Sequence, residues 1–202
     1  MKGARTRQLI LEKAAPLFNK RGFEGTSMAE LEKVTGLTKG ALYSHFGDKD
    51  TLADEAFRYA TGTVKDLITD LLISIPTNKG KLFALLDFFA GYVLTPPIPG
   101  GCPLLNTSVE ADDHRISMRR AVGSEIRRVV NFIATLIASG IRSGEFKKEA
   151  DARQLAYLFF CSIEGAIMFS RVERSAEPMK IIVNYCKNKL DQISNPAWNK
   201  KR

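Results

Sequence analysis

The sequence predicts an all-α protein of about nine helices, in which a small N-terminal domain of three helices precedes a larger helical domain. Apolar residues recur at spacings of three and four through each long ordered stretch, which is the period of an amphipathic helix. Short breaks rich in glycine and proline, such as Thr95–Gly101, separate these stretches, and residues that cap helices stand at several of their starts. No internal repeat or low-complexity segment interrupts the pattern.

Composition indicates a globular chain with a basic N-terminus. The 202 residues are 45% hydrophobic, enough to bury a core in one or two domains. A net charge of +8 favours a polyanionic partner without choosing among DNA, RNA and an anionic membrane. Residues 1–21 carry six basic and one acidic side chain, whereas residues 22–50 carry three basic and five acidic ones. The first segment therefore supplies most of the local attraction.

The cysteine count and the apolar stretches predict a cytoplasmic protein without a membrane span. Three cysteines are an odd number in a chain that is not disulfide-dense, and the N-terminus has no apolar signal segment. The two most apolar stretches, 82–94 and 155–169, are interrupted by Asp87 and Glu164. Both are shorter than the ~20 residues that a membrane helix needs.

The first predicted helix begins near Arg5, after a frayed arm at Met1 to Ala4, and ends near Gly22. Its apolar residues fall at positions i, i+4, i+7 and i+8, namely Ile10, Ala14, Leu17 and Phe18. Pro16 lies inside this pattern. Because a mid-helix proline costs roughly 3 kcal/mol, the helix is expected either to bend there or to be shorter.

Residues 22–49 predict two short helices joined by a tight turn. Ser27 and Glu30 form a capping box at the start of the first helix, and Gly36 can adopt the left-handed conformation that ends it. Thr38 is the expected N-cap of the next helix, Lys39 to Phe46, whose Leu42 and Phe46 share a buried side. This is the arrangement of a helix-turn-helix.

The outward side of the second short helix is the candidate DNA-reading surface. Lys39 can donate to guanine acceptors, while Tyr43 is better placed to hold a phosphate. The alternative is a solvated helical hairpin in an ordinary bundle, which the ordered motif makes the weaker interpretation. The candidate DNA contacts are Thr26, Ser27, Thr38, Lys39, Gly40, Tyr43, Ser44, His45 and Lys49, of which Thr26 and Lys49 are also assigned to phosphates.

The first quarter of the chain resembles the TetR family of bacterial transcriptional repressors. The matching elements are a basic first helix ending in Arg21-Gly22-Phe23, followed by Gly25-Thr26-Ser27-Met28, Val34-Thr35-Gly36-Leu37, Lys39 to Phe46 and Lys49-Asp50-Thr51-Leu52. One departure is Thr35, where the family commonly has a small apolar residue. The resemblance implies an all-helical homodimer whose C-terminal domain binds a small molecule, which loosens the DNA-binding heads.

The rest of the chain predicts six more helices. Asp48 caps one that runs to about Ile75, and the others are expected at 81–94, 103–111, 114–143, 151–172 and 178–193. The predicted domains are a helix-turn-helix domain at 1–50, a ligand-binding and dimerisation domain at 51–194, and a loose tail at 195–202. Because the helix after Asp48 belongs to both domains, it can transmit a tilt.

Apolar helices between residues 81 and 137, together with Met168, are the candidate pocket for a hydrophobic or aromatic effector. The candidate lining residues are Phe83, Leu86, Phe89, Tyr92, Cys102, Leu105, Met118, Phe132 and Met168. The last two helices have apolar faces suited to a four-helix interface with a second copy. The candidate interface residues are Phe159, Ser162, Gly165, Ala166, Phe169, Ile182, Tyr185 and Cys186.

Cys102 has two interpretations. At a helix N-terminus its thiol pKa can be lowered, and a similar Gly-Cys segment occurs in electrophile-responsive TetR relatives. The favoured interpretation is a small residue that packs at the pocket. The set Asp112, Asp113 and His114, with Cys102 or Glu110, fits no zinc spacing.

The function predicted from the sequence is a ligand-responsive repressor that binds a palindromic operator as a homodimer. We expect no enzyme activity, no cofactor, no metal and no membrane partner; the expected partners are operator DNA, a second copy and an unidentified effector. One rival is a structural or protein-interaction bundle, which would not bind DNA at low salt. Another is a cysteine-dependent enzyme, which would turn over substrate at Cys102.

Overall fold

A computed structural model describes residues 2–111, 115–196 and 198 of the chain. Within these residues nine helices form and no named strand does, which confirms the all-α prediction. The helices are α1 (Lys2–Arg21), α2 (Met28–Thr35), α3 (Lys39–Phe46), α4 (Lys49–Leu72), α5 (Asn78–Tyr92), α6 (Pro103–Ala111), α7 (Ile116–Ser143), α8 (Ala152–Val172) and α9 (Glu177–Ile193).

The chain divides into two compact units. Unit 1 contains Met1–Asp66 and Pro96–Gly123, and unit 2 contains Leu67–Thr95 and Ser124–Arg202. The division falls inside α4 and inside α7. Unit 1 is therefore larger than the predicted DNA-binding segment, since it also includes α6, and the functional boundary at residue 50 stays a prediction.

Helix ends differ from the sequence predictions at several places, and by three residues at the starts of α1 and α5 and at the end of α4. α1 begins at Lys2, so the expected frayed arm is wrong for residues 2–4, and the helix continues through Pro16. α4 ends at Leu72, three residues earlier than expected. α5 begins at Asn78 instead of Lys81 because the Thr77 side chain accepts the Gly80 N–H and caps the helix.

The core of unit 1 joins the three N-terminal helices and the start of α4. Its centre contains Ile10, Leu31, Leu42, Phe46 and Leu52, none of which exceeds 5% exposure. A second cluster packs Ile98 of the α5–α6 loop against alanines of α1 and α4, namely Ala15, Ala56 and Ala60. Small side chains on both helices make room for this loop.

In unit 2, Glu145 fixes the start of α5. Its carboxylate is buried and accepts the N–H groups of Asn78 and Lys79, at 3.2 and 3.0 Å, as well as the Asn78 side-chain amide. Burial alone would raise the pKa of Glu145, but these hydrogen bonds outweigh it and lower the pKa below its ordinary value of 4.5. The negative charge also suits the positive end of a helix.

The stretch expected to be too short for a membrane span belongs to a longer helix. α8 has 21 residues and is the one helix among the described residues that is long and apolar enough to cross a membrane. This is weak evidence, because core helices of soluble proteins pass the same test. Seven side chains of α8 are buried in the structure.

Candidate nucleic-acid interface

The helix-turn-helix has the caps that its sequence predicts. Ser27 accepts the Glu30 N–H while the Glu30 carboxylate accepts the Ser27 N–H at 2.9 Å, which completes the capping box. Gly36 ends α2 with φ of 71°, a left-handed conformation that residues with a Cβ resist. Thr38 caps α3 by accepting the Ala41 N–H at 3.3 Å.

Thr35, the one departure from the family pattern, takes part in this turn. Its hydroxyl donates to the Leu31 carbonyl at 2.6 Å and accepts the Leu37 N–H at 3.3 Å. The Thr35 hydroxyl therefore accepts a backbone N–H beyond the end of α2, that of Leu37. An alanine at position 35 could not make this hydrogen bond.

Four of the nine candidate DNA contacts lie together on the outward face of α3. Lys39, Gly40, Tyr43 and Ser44 are exposed, and the Lys39 ammonium lies 5.5 Å from the centre of the Tyr43 ring. His45 is half-buried on the same helix. The α3 surface thus presents a cation, a phenol and a hydroxyl beside a glycine that allows close backbone approach.

Two candidate phosphate contacts have other partners in the structure. Thr26 is fully buried and its hydroxyl donates to the Gly22 carbonyl at 2.6 Å, so this hydroxyl is already paired within the protein, and the phosphate contact of Thr26 stays a prediction. The Lys49 ammonium donates to the Phe23 carbonyl at 2.7 Å. Ser27 and Thr38 are exposed, but their hydroxyls already act as helix caps.

Phe23, in the turn between α1 and α2, is held from several sides. Its N–H and that of Glu24 donate to the carboxylate of Glu110 on α6, at 2.7 and 2.9 Å. The Lys49 ammonium lies 4.1 Å and the Arg115 guanidinium 3.6 Å from the centre of the Phe23 ring. Cation–π contacts and charge-assisted hydrogen bonds therefore fix this turn.

The same turn requires glycine at position 22. Gly22 has φ of 73°, and a Cβ there would lie 2.7 Å from a carboxylate oxygen of Glu110. Nearby, Asn106 of α6 donates to the Asn19 carbonyl at 2.9 Å, and Asn19 in turn donates to the Gly101 carbonyl at 2.9 Å. A side chain of α6 and the backbone of the loop before it thus bind directly to the end of α1.

Two carboxylates near the start of α4 differ in environment. Hydrogen bonds from the backbone and side chain of Thr51 lower the pKa of Asp48, which caps the helix as predicted. Burial raises the pKa of Asp54, while the positive charges of Arg115 and Arg58 oppose that rise. Arg115 also pairs with Asp50 at 2.7 Å.

Four residues that hold this unit together have no local signal in the sequence. Glu110, Arg115, Arg7 and Glu32 were not predicted as parts of the DNA-binding site. Glu110 contacts a residue 87 positions away, and Arg7 one 48 positions away. A pattern confined to one helix cannot reveal such contacts.

Unit 2 contains an apolar cavity between α5, α7, α8 and α9. It is lined by Leu82, Leu85, Leu86, Phe89, Val129, Ile133, Phe159, Phe160, Ile163, Glu164 and Leu190. Its volume is about 30 Å³. Because that is room for one or two water molecules, the cavity is closed to a ligand of ordinary size in this conformation.

The nine candidate pocket residues do not share this cavity. Leu86 and Phe89 line it, whereas Met118 lines a separate cavity of unit 1, bounded also by Phe18, Phe57 and Arg115. The remaining six line neither. The ammonium groups of Lys79 and Lys187 lie 5.5 and 5.4 Å from the centre of the Phe83 ring. Tyr92 and Cys102 are buried, Leu105 is half-buried, and Phe132 and Met168 are exposed.

The candidate interface residues fall into two groups. Phe159, Ala166 and Cys186 are buried within unit 2, so their side chains pack inside this chain, and their contact with a second copy stays a prediction. Ser162, Gly165, Phe169, Ile182 and Tyr185 are at least partly accessible. Further exposed apolar residues on the same two helices are Tyr157, Leu158, Met168, Val172 and Ile181.

The remaining candidate sites have ordinary surroundings. Asp87, which interrupts the apolar stretch 82–94, is exposed and pairs with Lys187 at 2.5 Å. Asp112, Asp113 and His114 lie outside the described residues. Among the residues that are described, no three His, Cys, Asp or Glu side chains are close enough together to hold a metal ion.

Two known protein families match this chain, one in its N-terminal part and one in its C-terminal part. The family described as "Bacterial regulatory proteins, tetR family" matches residues 10–56. The family described as "Tetracyclin repressor-like, C-terminal domain" matches residues 79–186, which is more than half of the chain.

Individual proteins are similar over nearly the whole length. A TetR transcriptional regulator from Chloroflexus aurantiacus J-10-FL is 36% identical, with 96% of this chain and 98% of that chain covered and a TM-score of 0.91. The transcriptional repressor DhaR of Mycobacterium sp. (strain GP1) is 26% identical over 86% of each chain. A cysteine mutant of the TetR family regulator CifR, solved with double-stranded operator DNA, shares the fold at 21% identity, 90% and 94% coverage and a TM-score of 0.79.

Proposed function

Because the chain belongs to the TetR family of bacterial regulatory proteins, we propose that it is a repressor that binds a palindromic operator as a homodimer until a small apolar effector releases it. It is a DNA-binding transcription regulator and not an enzyme, since the family consists of regulators. The observation that carries the proposal is the exposed face of α3, where Lys39, Gly40, Tyr43 and Ser44 lie together.

Recognition of the operator follows from the dimensions of α3 and of DNA. The major groove admits one helix, and the first residues of that helix meet the base edges. In our proposal Lys39 donates to guanine acceptors and Tyr43 holds a phosphate. Each half-site receives one α3, so the half-site centres lie about 34 to 36 Å apart or a multiple of one turn.

The apolar surface on α8 and α9 supports the dimer. Phe169 is 55%, Val172 79%, Ile181 59% and Tyr185 51% exposed. Large apolar patches of this kind mark interaction sites, and a second copy would bury the same residues on both chains. Ser162 and Gly165 are small enough to let a helix of the partner approach closely.

The cavity of unit 2 is the proposed effector site. Leu82, Leu86, Phe89 and Ile133 give it an apolar lining, which favours a hydrophobic or aromatic ligand. The effector must enlarge the cavity, and it shifts the protein away from the DNA-binding state only by its higher affinity for the enlarged one. The effector-bound protein would therefore have a larger cavity than the conformation described above.

Electrophile sensing through Cys102 is the alternative to a non-covalent effector. Cys102 is 4% exposed, so an electrophile would have to open the structure before reaching the sulfur. This burial favours the packing role.

As a regulator of bacterial DNA, the protein is placed in the cytoplasm.

Selection from a random DNA pool tests the proposal. The purified chain is mixed with random duplexes at near-physiological salt, and the bound duplexes are sequenced. Enrichment of an inverted repeat would support both the dimer and base reading by α3. Binding without enrichment, and with a steep salt dependence, would reduce the function to attraction between charges.

A further inference from the structure

The recognition helix α3 depends on its neighbours for its geometry. It has eight residues, fewer than the ~12 that an isolated helix needs to be even marginally stable. Leu42 and Phe46 are its buried side chains and fix one face. The direction of its axis depends on what holds its two ends.

The N-terminal end is held by Glu32 of α2. The Glu32 carboxylate accepts the Lys39 N–H, the first amide of α3, at 2.6 Å. Such an amide has no partner within its own helix. A negative charge at this end also matches the positive end of the helix dipole.

The C-terminal end is held by Arg7 of α1. One Arg7 nitrogen donates to the His45 carbonyl, in the last turn of α3. Its Nε and other terminal nitrogen donate to the two carboxylate oxygens of Glu55 on α4, and its guanidinium carbon lies 4.2 Å from the centre of the Phe46 ring. This positive charge matches the negative end of the dipole.

We propose that Glu32 and Arg7 are positioning residues that set the axis of α3 for operator reading without touching DNA. The inference rests on the proposed function, since it assumes that α3 reads bases. Three of the five Arg7 N–H groups donate to protein acceptors, and the two that form its bidentate fork are directed at Glu55 instead of at a phosphate. Arg7 thus differs from the exposed basic residues of α1, such as Arg5.

Positioning and phosphate binding have different signatures in solution. Phosphate contacts act on every duplex and contribute to the salt dependence of binding. The angle of α3 matters only where side chains must meet particular base edges. Loss of Arg7 or Glu32 should therefore lower the preference for the operator while leaving binding to other DNA nearly intact.

The test uses the full chain and two duplexes. One is the duplex that the unmodified protein enriches from a random pool, and the other is a scrambled duplex of the same composition. Dissociation constants are measured across a salt series for the unmodified protein, Arg7→Met and the matched surface variant Arg5→Met. We expect Arg7→Met to weaken binding to the enriched duplex roughly tenfold or more, which is the effect of losing a good base contact. The salt dependence of binding should keep the same slope.

Conservative variants separate positioning from general damage. Glu32→Gln keeps an oxygen that can accept the Lys39 N–H, whereas Glu32→Ala does not, so we expect Gln to retain most of the preference and Ala to lose it. Arg7→Lys keeps the charge but not the fork, and it should lose nearly as much preference as Arg7→Met. If Arg7→Met does not fold by circular dichroism, Arg7→Lys and the Glu32 pair decide the question.

Three results would overturn the inference. If Arg7→Met weakens both duplexes equally and lowers the salt slope by roughly one, Arg7 is a phosphate contact. If the folded variants keep the full preference for the enriched duplex, the contacts at the ends of α3 do not control which bases the helix recognises. If the unmodified protein enriches no duplex at all, the proposed function fails and this inference fails with it.

Discussion

The carboxylate of Glu110 accepts the backbone N–H of Phe23 at 2.7 Å, so a side chain of α6 closes the turn that leads from α1 into α2. The second carboxylate oxygen accepts the N–H of Glu24 at 2.9 Å. Neither amide belongs to a helix, and a charged acceptor binds such donors more strongly than a neutral one. The entrance to the helix-turn-helix is therefore built partly by residues far away in the sequence.

We expect Glu110→Ala to lower the free energy of unfolding by ~2 kcal/mol, because it leaves two backbone donors without this acceptor. Glu110→Gln should cost less, since its amide oxygen can still accept one of the two N–H groups. Urea unfolding followed by circular dichroism measures both. Replacement of an exposed neighbour, Glu24→Ala, is the control. An equal loss of unfolding free energy in all three variants would show that the hydrogen bonds of Glu110 have no particular effect on stability.

Tyr43 tests the outward face of α3. The side chain is 36% exposed and does not belong to the core, so Tyr43→Ala should change the melting temperature little. We expect operator affinity to fall roughly tenfold, since a phosphate hydrogen bond and stacking area are lost. Tyr43→Phe keeps the ring and removes only the hydroxyl. Unchanged affinity of the alanine variant in a gel-shift titration would refute the role of Tyr43.

Glu145 predicts a pH dependence of stability. Because its folded-state pKa lies below the ordinary 4.5, the carboxylate stabilises the fold fully above that value, and the contribution is lost as the pH falls through the folded-state pKa. Glu145→Gln should therefore be less stable than the unmodified protein at pH 7, with a difference that shrinks as the pH falls below the ordinary pKa of 4.5 and through the lower folded-state pKa.

Urea unfolding at pH 7, 5.5, 4 and 3 measures this difference. Glu149→Gln, an exposed acid in the same loop, is the matched control and should show no such convergence. A gap between Glu145→Gln and the unmodified protein that stays constant over the whole pH range would show that the charge of Glu145 is not what stabilises the start of α5.

The local parts of the fold were predictable because short-range rules decide them. The capping box at Ser27, the left-handed Gly36 and the buried pair Leu42 and Phe46 all follow from spacings of four residues or fewer. Helix ends fixed by distant groups were missed. The start of α5 is capped locally by Thr77, but Glu145, which lies 67 residues away and also accepts the first N–H groups of this helix, gives no signal near Asn78.

The candidate pocket and interface were predicted less well for a related reason. Helical spacing shows that a face is apolar, but not which neighbour covers it. Phe83 was assigned to the pocket, yet Lys79 and Lys187 contact its ring, while Phe159 was assigned to the interface and lines the cavity. Only the packing of several helices together decides between these places.

The buried thiols predict low reactivity in the folded protein. Burial raises the pKa of Cys186 from 9.0 to about 11, and Cys102 is 4% exposed, so at pH 8 little accessible thiolate is present. In a Cys161→Ser variant, which removes the exposed cysteine, we expect no thiol to react with a disulfide reagent until urea is added. Both remaining thiols should then react.

Cys102→Ser completes this test in a reporter assay. If Cys102 only packs, derepression by quinones or peroxides should not depend on it. Rapid native labelling of Cys102 together with loss of derepression in the serine variant would instead establish electrophile sensing. The two readouts are independent, since one measures the purified protein and the other the promoter.

The exposed face of α8 and α9 makes the dimer testable by one charge. Phe169 is 55% exposed and is flanked by Met168 and Val172, so Phe169→Asp places a carboxylate in the middle of the proposed contact. Burying an unpaired charge costs ~3 kcal/mol or more, which corresponds to dimerisation weaker by a factor of ~100. Gln154→Asp, an exposed position near the start of α8, is the control for charge alone.

Sedimentation equilibrium should show a monomer for Phe169→Asp and a dimer for the control. The monomer should also lose its preference for a two-half-site duplex over a single half-site, because a second α3 is no longer attached. A Phe169→Asp protein that remains dimeric at micromolar concentration would move the interface to another surface.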